Sequence, residues 1–337
     1  MTNQFDQNKF QSYYDQLNIT DKFSTIYMSN QYFEIIKELK DSKKLKTTHM
    51  GFVYAYMYLQ SYMFRNTTYE YFVPTVKDIK EMLGYSPIQK SLDYIIKENG
   101  LLDTEKLTVS DNDFPIINEF SEELGLEFTT LSDLNSPVEN YTERFRQDKG
   151  IRKSQGYKYP VLSFYESLDE YTELSLDNNG GTFFEVGFTT EIPFDVFAYC
   201  MSNSELGDTG FYLYAYLKHM NNFAEKKETD YSATYETIGK KTGLSEKTVQ
   251  RYMEALRRYN LVSTSHNMPY FSQAFRKDER KASSHFVNDF NQFTTLHVNY
   301  DKLEVKKRKE HKAIVAEKIK KEESVHLIEF DLEELPF

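Results

Sequence analysis

The chain has 337 residues, 39% of them hydrophobic, which is enough for two or three modest cores. Its formal net charge of −11 at first sight argues against a nucleic-acid partner, but the charge is segregated along the chain, so the sum decides nothing. The single cysteine, Cys200, excludes an intrachain disulfide and a thiolate zinc cluster. The polar start Met1–Lys9 and the lack of any apolar run near ~18 residues point to a cytoplasmic protein with no membrane partner.

In chain order, residues 1–25 form a polar segment whose apolar positions are too scattered to define an element. Residues 26–110 read as a first domain. Ile26–Leu45 predicts a short helix, and Met50–Phe64 (MGFVYAYMYLQSYMF) a strongly apolar one at the centre of a core. Ile79, Met82, Leu83 and Gly84 predict a helix and its turn. Ser86-Pro87 then caps and opens a second helix over Pro87–Asn99, and Gly100-Leu101-Leu102 leads into an exit strand. Residues 111–182 come next as an acidic connector, favoured as a solvated linker. Between 103 and 143, eleven acids oppose Lys106 alone, a balance of −10. Asn178-Asn179-Gly180-Gly181 signals a turn, and Thr182–Thr190 a strand.

Residues 183–300 read as a second domain. Ile192-Pro193-Phe194 leads into a helix over Asp195–Met201, and a long apolar helix runs through Gly210–Tyr216. Thr234–Val262 carries the strongest signal. Gly239 lets a second helix approach the first, Gly243 supplies a left-handed turn residue between them, and Ser245 caps the second helix. Val249, Met253 and Leu256 recur at i, i+4 and i+7 and face a core, leaving Lys247, Gln250, Arg251, Glu254, Arg257 and Arg258 on other faces. Across 240–258 six cations oppose Glu246 and Glu254, a local balance of +4. This is a helix-turn-helix whose outward helix carries groups suited to base edges and phosphates.

Leu261–His266 and Phe293–Tyr300 then predict two strands of a hairpin, or wing, around a loop bearing Arg276, Lys277, Arg280 and Lys281. Residues 301–325 form a basic helix, with nine cations against three glutamates between Lys302 and Lys321, and residues 326–337 an acidic tail.

The plan occurs twice. Gly51 to Gly210, Gly84 to Gly243 and Ser86 to Ser245 share one offset of 159 residues, read directly from the numbering. The expected fold class is therefore mainly α with small β-wings (α+β), comprising two winged helix-turn-helix domains related by an internal repeat. The copies differ chemically: Lys80 stands where the second has Gly239, and Lys90 where it has Val249. The first unit is as suited to a weak DNA contact as to a dimer or partner surface, so a homodimer is among the expected partners.

For double-stranded DNA, Lys247, Gln250 and Arg251 are the candidates for base edges, Arg251 on guanine and Gln250 on adenine. Ser245, Thr248, Arg257 and Arg258, with Arg276, Lys277, Arg280 and Lys281 of the wing, are the candidates for phosphates. No GxxxxGK[ST] loop, HExxH or GxSxG elbow occurs, and none of the seven histidines forms a His-x-His pair. A non-enzyme without metal or cofactor is expected.

The second unit, from Ile192-Pro193-Phe194 through Thr234–Val262, resembles winged helix-turn-helix domains of Gram-positive plasmid and phage replication proteins. Two such units look like the Rep-type plasmid initiators, a likeness covering about residues 28–105 and 185–300. It implies binding of origin repeats through paired winged helices. The terminus Asp331-Leu-Glu-Glu-Leu-Pro-Phe337 resembles the acidic tip of bacterial single-stranded-DNA-binding proteins. That likeness implies a replication or repair enzyme docking on Leu335, Pro336 and Phe337, against a plain frayed tail. There are two alternatives: the same fold as a transcriptional regulator of a mobile element, or a protein-interaction adaptor in which both units bind protein and Phe337 docks an enzyme.

Overall fold

A computed structural model describes residues 7–17, 25–121, 125–153, 155–165, 188–225, 227, 229–276 and 279–333. The chain is mixed α/β and about 50% helical, with four two-stranded antiparallel sheets among the described residues. The first half runs α1 (Gln7–Leu17), β1 (Thr25–Ser29), α2 (Gln31–Asp41), α3 (Met50–Arg65), α4 (Val76–Met82), α5 (Asp93–Ile96), α6 (Leu101–Thr104) and β2 (Thr108–Asp111). Then come β3 (Pro115–Ser121), β4 (Gly125–Thr130), α7 (Tyr141–Asp148), β5 (Tyr157–Pro160) and α8 (Leu162–Tyr165). The second half runs β6 (Thr189–Pro193), α9 (Phe194–Ser202), α10 (Gly207–Glu225), α11 (Tyr235–Thr242), α12 (Glu246–Arg258), β7 (Val262–Ser265), β8 (Ser284–Val287) and α13 (Arg308–Glu333).

The core is built where the two halves meet. A helix that is apolar all round must be enclosed on every side, and α3 is: each of its sixteen residues is buried. Its principal cover is α10, whose Gly210–Leu217 stretch is likewise buried. The approach is close enough that a Cβ on Gly51 would lie 2.7 Å from the backbone of Thr209. Aromatic rings fill the seam, with Tyr62 stacked on Phe194 at 3.9 Å and Tyr58 on Phe197 at 5.0 Å. Beside it β1 pairs antiparallel with β6, from Thr25 opposite Pro193 to Ser29 opposite Thr189. The Tyr58 hydroxyl donates to the Ile192 carbonyl at 2.9 Å, tying α3 to that ribbon.

Several elements differ from expectation. The predicted helix over Ile26–Leu45 begins only at Gln31, because Thr25–Ser29 alternates Ile26 and Met28 inward and pairs with β6. Gly100-Leu101-Leu102 opens α6 rather than a strand, and the strand starts at Thr108. The helix expected over Pro87–Asn99 reduces to a 3-10 turn, Lys90–Leu92, and the four residues of α5. Lys80 of α4 lies buried against this segment, its ammonium on the Gln89 carbonyl and the Asp93 carboxylate.

The acidic stretch after residue 110 is not a solvated linker over its described part. β5 pairs with β2, β3 with β4, and Phe114, Leu131, Phe145 and Tyr157 are buried. At the start, α1 is a helix, with Leu17 buried and the Tyr13 hydroxyl reaching Asp78 and Glu81. Of the strand predicted over Thr182–Thr190, residues 182–187 lie outside the described residues. The strand returning to β7 is Ser284–Val287, not Phe293–Tyr300, which runs beside the end of α12 with Thr294 and Val298 donating to the Tyr259 and Arg258 carbonyls. The basic helix begins at Arg308 and continues through Glu333, across the segment expected as a tail.

Candidate nucleic-acid interface

The α11–α12 pair is fixed residue by residue. Thr234 caps α11 by accepting from the Thr237 amide at 3.1 Å, and Ser245 caps α12 by accepting from Thr248 at 3.1 Å. Between them Gly243 sits at φ +78°, the left-handed conformation that ends a helix abruptly. Gly239 permits the crossing, since a Cβ there would lie 2.7 Å from the Leu244 carbonyl oxygen. Val249, Met253 and Leu256 are fully buried, and the Tyr212 hydroxyl of α10 donates to the Thr242 carbonyl at 2.9 Å. The turn is thereby anchored to the central helix.

The opposite face of α12 carries Lys247, Gln250 and Arg251, all exposed. The Gln250 amide donates to Glu254 at 3.1 Å, and the Arg251 guanidinium lies 5.2 Å from the Tyr252 ring centroid. Ser245 is exposed and Thr248 half-buried at the start of the same helix, their hydroxyls 2.7 Å apart. These five residues share one surface at the N-terminal end of α12, where unpaired backbone amides and the helix dipole favour anions.

Of the two α12 arginines expected at phosphates, Arg257 is turned inward and Arg258 is half-buried in an ion pair. Arg257 is 5% exposed; its guanidinium donates to the Asp301 carbonyl and lies 4.2 Å from the Tyr300 ring centroid. Arg258 pairs with Glu205 at 2.6 Å, in a cluster where Glu205 also accepts from the Tyr259 hydroxyl at 3.0 Å. Arg257 lies where the chain after β8 folds back over the end of α12, so its charge serves that contact, whereas Arg258 places its charge on Glu205 between α9 and α10.

In the β7–β8 loop, Arg276, Arg280 and Lys281 are exposed. Arg276 pairs with Glu279 at 3.4 Å, and Arg280 donates to the Phe275 and Gln273 carbonyls at 3.1 and 3.4 Å. Lys277 lies outside the described residues, as do Leu335, Pro336 and Phe337.

The residue that sequence reasoning missed is His285. It is 1% exposed, and its Nε2 donates to the Ala233 carbonyl at 3.0 Å while Nδ1 accepts from the Thr264 hydroxyl at 3.1 Å. This assignment makes the ring neutral, and burial lowers its pKa to about 4. His285 thus pins the hairpin to the segment entering α11. Nothing in the local sequence marks it, because its partners come from β7 and from the segment before α11. Lys37 and Lys40 of α2 also lie beside the Gly243 turn with Lys240, but Asp41, Glu236 and Glu246 line the same hollow and balance the three. Lys241 adds one exposed cation on α11.

No helix among the described residues is long and apolar enough to cross a membrane, and no group of three or more potential metal ligands occurs among them. Neither a protein-family model, nor a curated protein, nor a solved structure matches the chain.

Proposed function

We propose that this protein is a non-catalytic, sequence-specific binder of double-stranded DNA, with α12 as the reading helix of a winged helix-turn-helix. One observation carries the proposal. A capped helix, set by a left-handed glycine turn and anchored through Val249, Met253 and Leu256, presents Lys247, Gln250 and Arg251 outward. A helix so held has the width to enter a major groove, and those three side chains carry the donors that guanine and adenine edges accept. Ser245 and Thr248 suit phosphates beside the helix start. Arg276, Arg280 and Lys281 of the β7–β8 loop suit an adjacent phosphate run. Once Arg257 and Arg258 are withdrawn, four cations face Glu246 and Glu254 over residues 240–258, a balance of +2 instead of +4.

We further propose that its role is initiation of replication at repeated origin sites of a plasmid or phage. The order strand, helix, long apolar helix and helix pair recurs in both halves of the chain. The first pair lacks an outward cationic helix: its second member is only the four residues Asp93–Ile96, which carry no cation. Its role is accordingly assigned to packing and orientation rather than to base reading. The test is selection of bound duplexes from a random pool, then mapping of the selected motif beside the gene. Several spaced copies in an origin are the expected result. A lone operator would reassign the protein to transcriptional regulation, and no salt-dependent binding to any duplex would end the DNA reading.

A further inference from the structure

The chain leading into α13 is packed along the β7–β8 loop. Val305 forms a parallel bridge with Phe271; the Phe271 amide donates to the Glu304 carbonyl at 2.7 Å and the Lys306 amide to the Phe271 carbonyl at 2.8 Å. In the first turn of α13, His311 Nδ1 lies within hydrogen-bond distance of the Tyr270 hydroxyl, 3.1 Å, and its ring meets Phe275 edge-on at 4.6 Å. Arg276 follows Phe275, and Arg280 donates to the Phe275 carbonyl. Both therefore stand beside the flank of α13 that carries His311. Lys307 and Arg308 precede His311 by four and three positions, and Lys312 follows Arg308 by four, so these three cations share that flank.

The nearby acids are largely spoken for. Glu279 pairs with Arg276 and Glu304 with Lys306, while the Glu310 carboxylate accepts from the Lys307 backbone amide at 2.7 Å. Lys307, Arg308 and Lys312 are exposed and form no ion pair among the described residues. Cations at the start of a helix lie against its dipole, so helix stability does not account for them. They do continue, from the loop onto α13, a surface suited to a run of phosphates.

We propose that Lys307, Arg308 and Lys312 hold the phosphates of duplex DNA flanking the motif read by α12, without regard to the flanking sequence. The proposal rests on the DNA reading of α12. These contacts lengthen the bound duplex and add salt-dependent affinity that carries no base preference.

The test measures affinity of the full chain, at several salt concentrations, for the motif selected from a random pool. The motif is offered bare and with about ten base pairs, one helical turn, of unrelated sequence added on each side. The unaltered chain should bind the flanked duplex tighter. Combining Lys307→Ala, Arg308→Ala and Lys312→Ala should abolish that advantage and reduce the slope of log affinity against log salt by about 2–3, with base preferences kept. Combining Lys90→Ala, Lys106→Ala and Lys153→Ala removes the same charge from exposed positions in the first half and should change neither. Equal affinity for bare and flanked duplexes, an unchanged slope in the first variant, or the same loss in both variants would overturn the proposal and leave α12 as the reader. Lost self-association of the first variant, with DNA binding unaltered, would overturn it in favour of contact with a second copy. If the unaltered chain binds no duplex, the DNA reading falls and this proposal with it.

Discussion

The Tyr85 hydroxyl donates to the Asp208 carboxylate across 2.5 Å, joining the turn after α4 to the first turn of α10. Asp208 is buried, and burial raises its pKa above the usual aspartate value despite the bonds from Tyr85 and Thr209. A single hydroxyl thereby links the helix pair of one half to the central helix of the other.

Tyr85→Phe should destabilise the protein by about 1–3 kcal/mol, because the buried acceptor loses its main donor. Urea unfolding measures this. The pH dependence has a definite sign. A carboxyl with a raised folded-state pKa binds its proton more readily in the native state, so its contribution is present below the unfolded value and lost as pH rises through the folded one. Asp208→Asn should remove that part of the fall in stability above about pH 4, the ordinary aspartate range.

His285 has the opposite sign. Its pKa is lowered to about 4, so between the ordinary histidine value of about 6.5 and that figure the unfolded chain binds the extra proton. Stability is present above this window and lost as pH falls through it, by about 3 kcal/mol in total. His285→Gln should flatten the acid limb of the stability profile. An unchanged limb would show that the ring is not held neutral.

The glycine turn can be tested by shape. Gly243→Val should cost more than Gly243→Asn, since the left-handed region costs an ordinary residue about 1–2 kcal/mol and asparagine tolerates it better. Gly239→Ala places a methyl against the Leu244 carbonyl, a backbone atom that cannot swing aside, and overpacking of this kind costs about 1–3 kcal/mol. Denaturant midpoints give the order.

Arg251→Ala should lower affinity for the selected duplex by about 1–3 kcal/mol and relax one base position. Arg257→Ala should instead lower stability, with the DNA affinity of the folded fraction kept. The salt dependence separates the two roles. If Arg257→Ala reduced the slope of log affinity against log salt by about one, Arg257 would be a phosphate contact after all.

What was legible from the sequence divides along physical lines. The α11–α12 pair was readable because its determinants are local: two glycines, a serine cap and an apolar stripe within one short window. α3 was readable because an uninterrupted apolar helix has few other uses. Arg257 was misplaced although its spacing held the clue. It falls at i+4 from Met253 and i+8 from Val249, on the buried face, but a cation invites an outward reading. The truncation of Pro87–Asn99 was hidden because the segment's partner, the Lys80 ammonium on the Gln89 carbonyl and Asp93, lies outside that window. The returning strand was misassigned because Ser284–Val287 is short and becomes a strand only by pairing with Val262–Ser265. β1 escaped notice for the same reason, its partner being far along the chain at Thr189–Pro193.

The contact of Gly51 with the backbone of Thr209 constrains how this protein can be dissected. α3 has no water-compatible side to show if α10 is cut away, and each half would be left with a raw aromatic seam. An excised second half should therefore aggregate or pair with a copy of itself. Work on the α11–α12 surface needs the intact polypeptide.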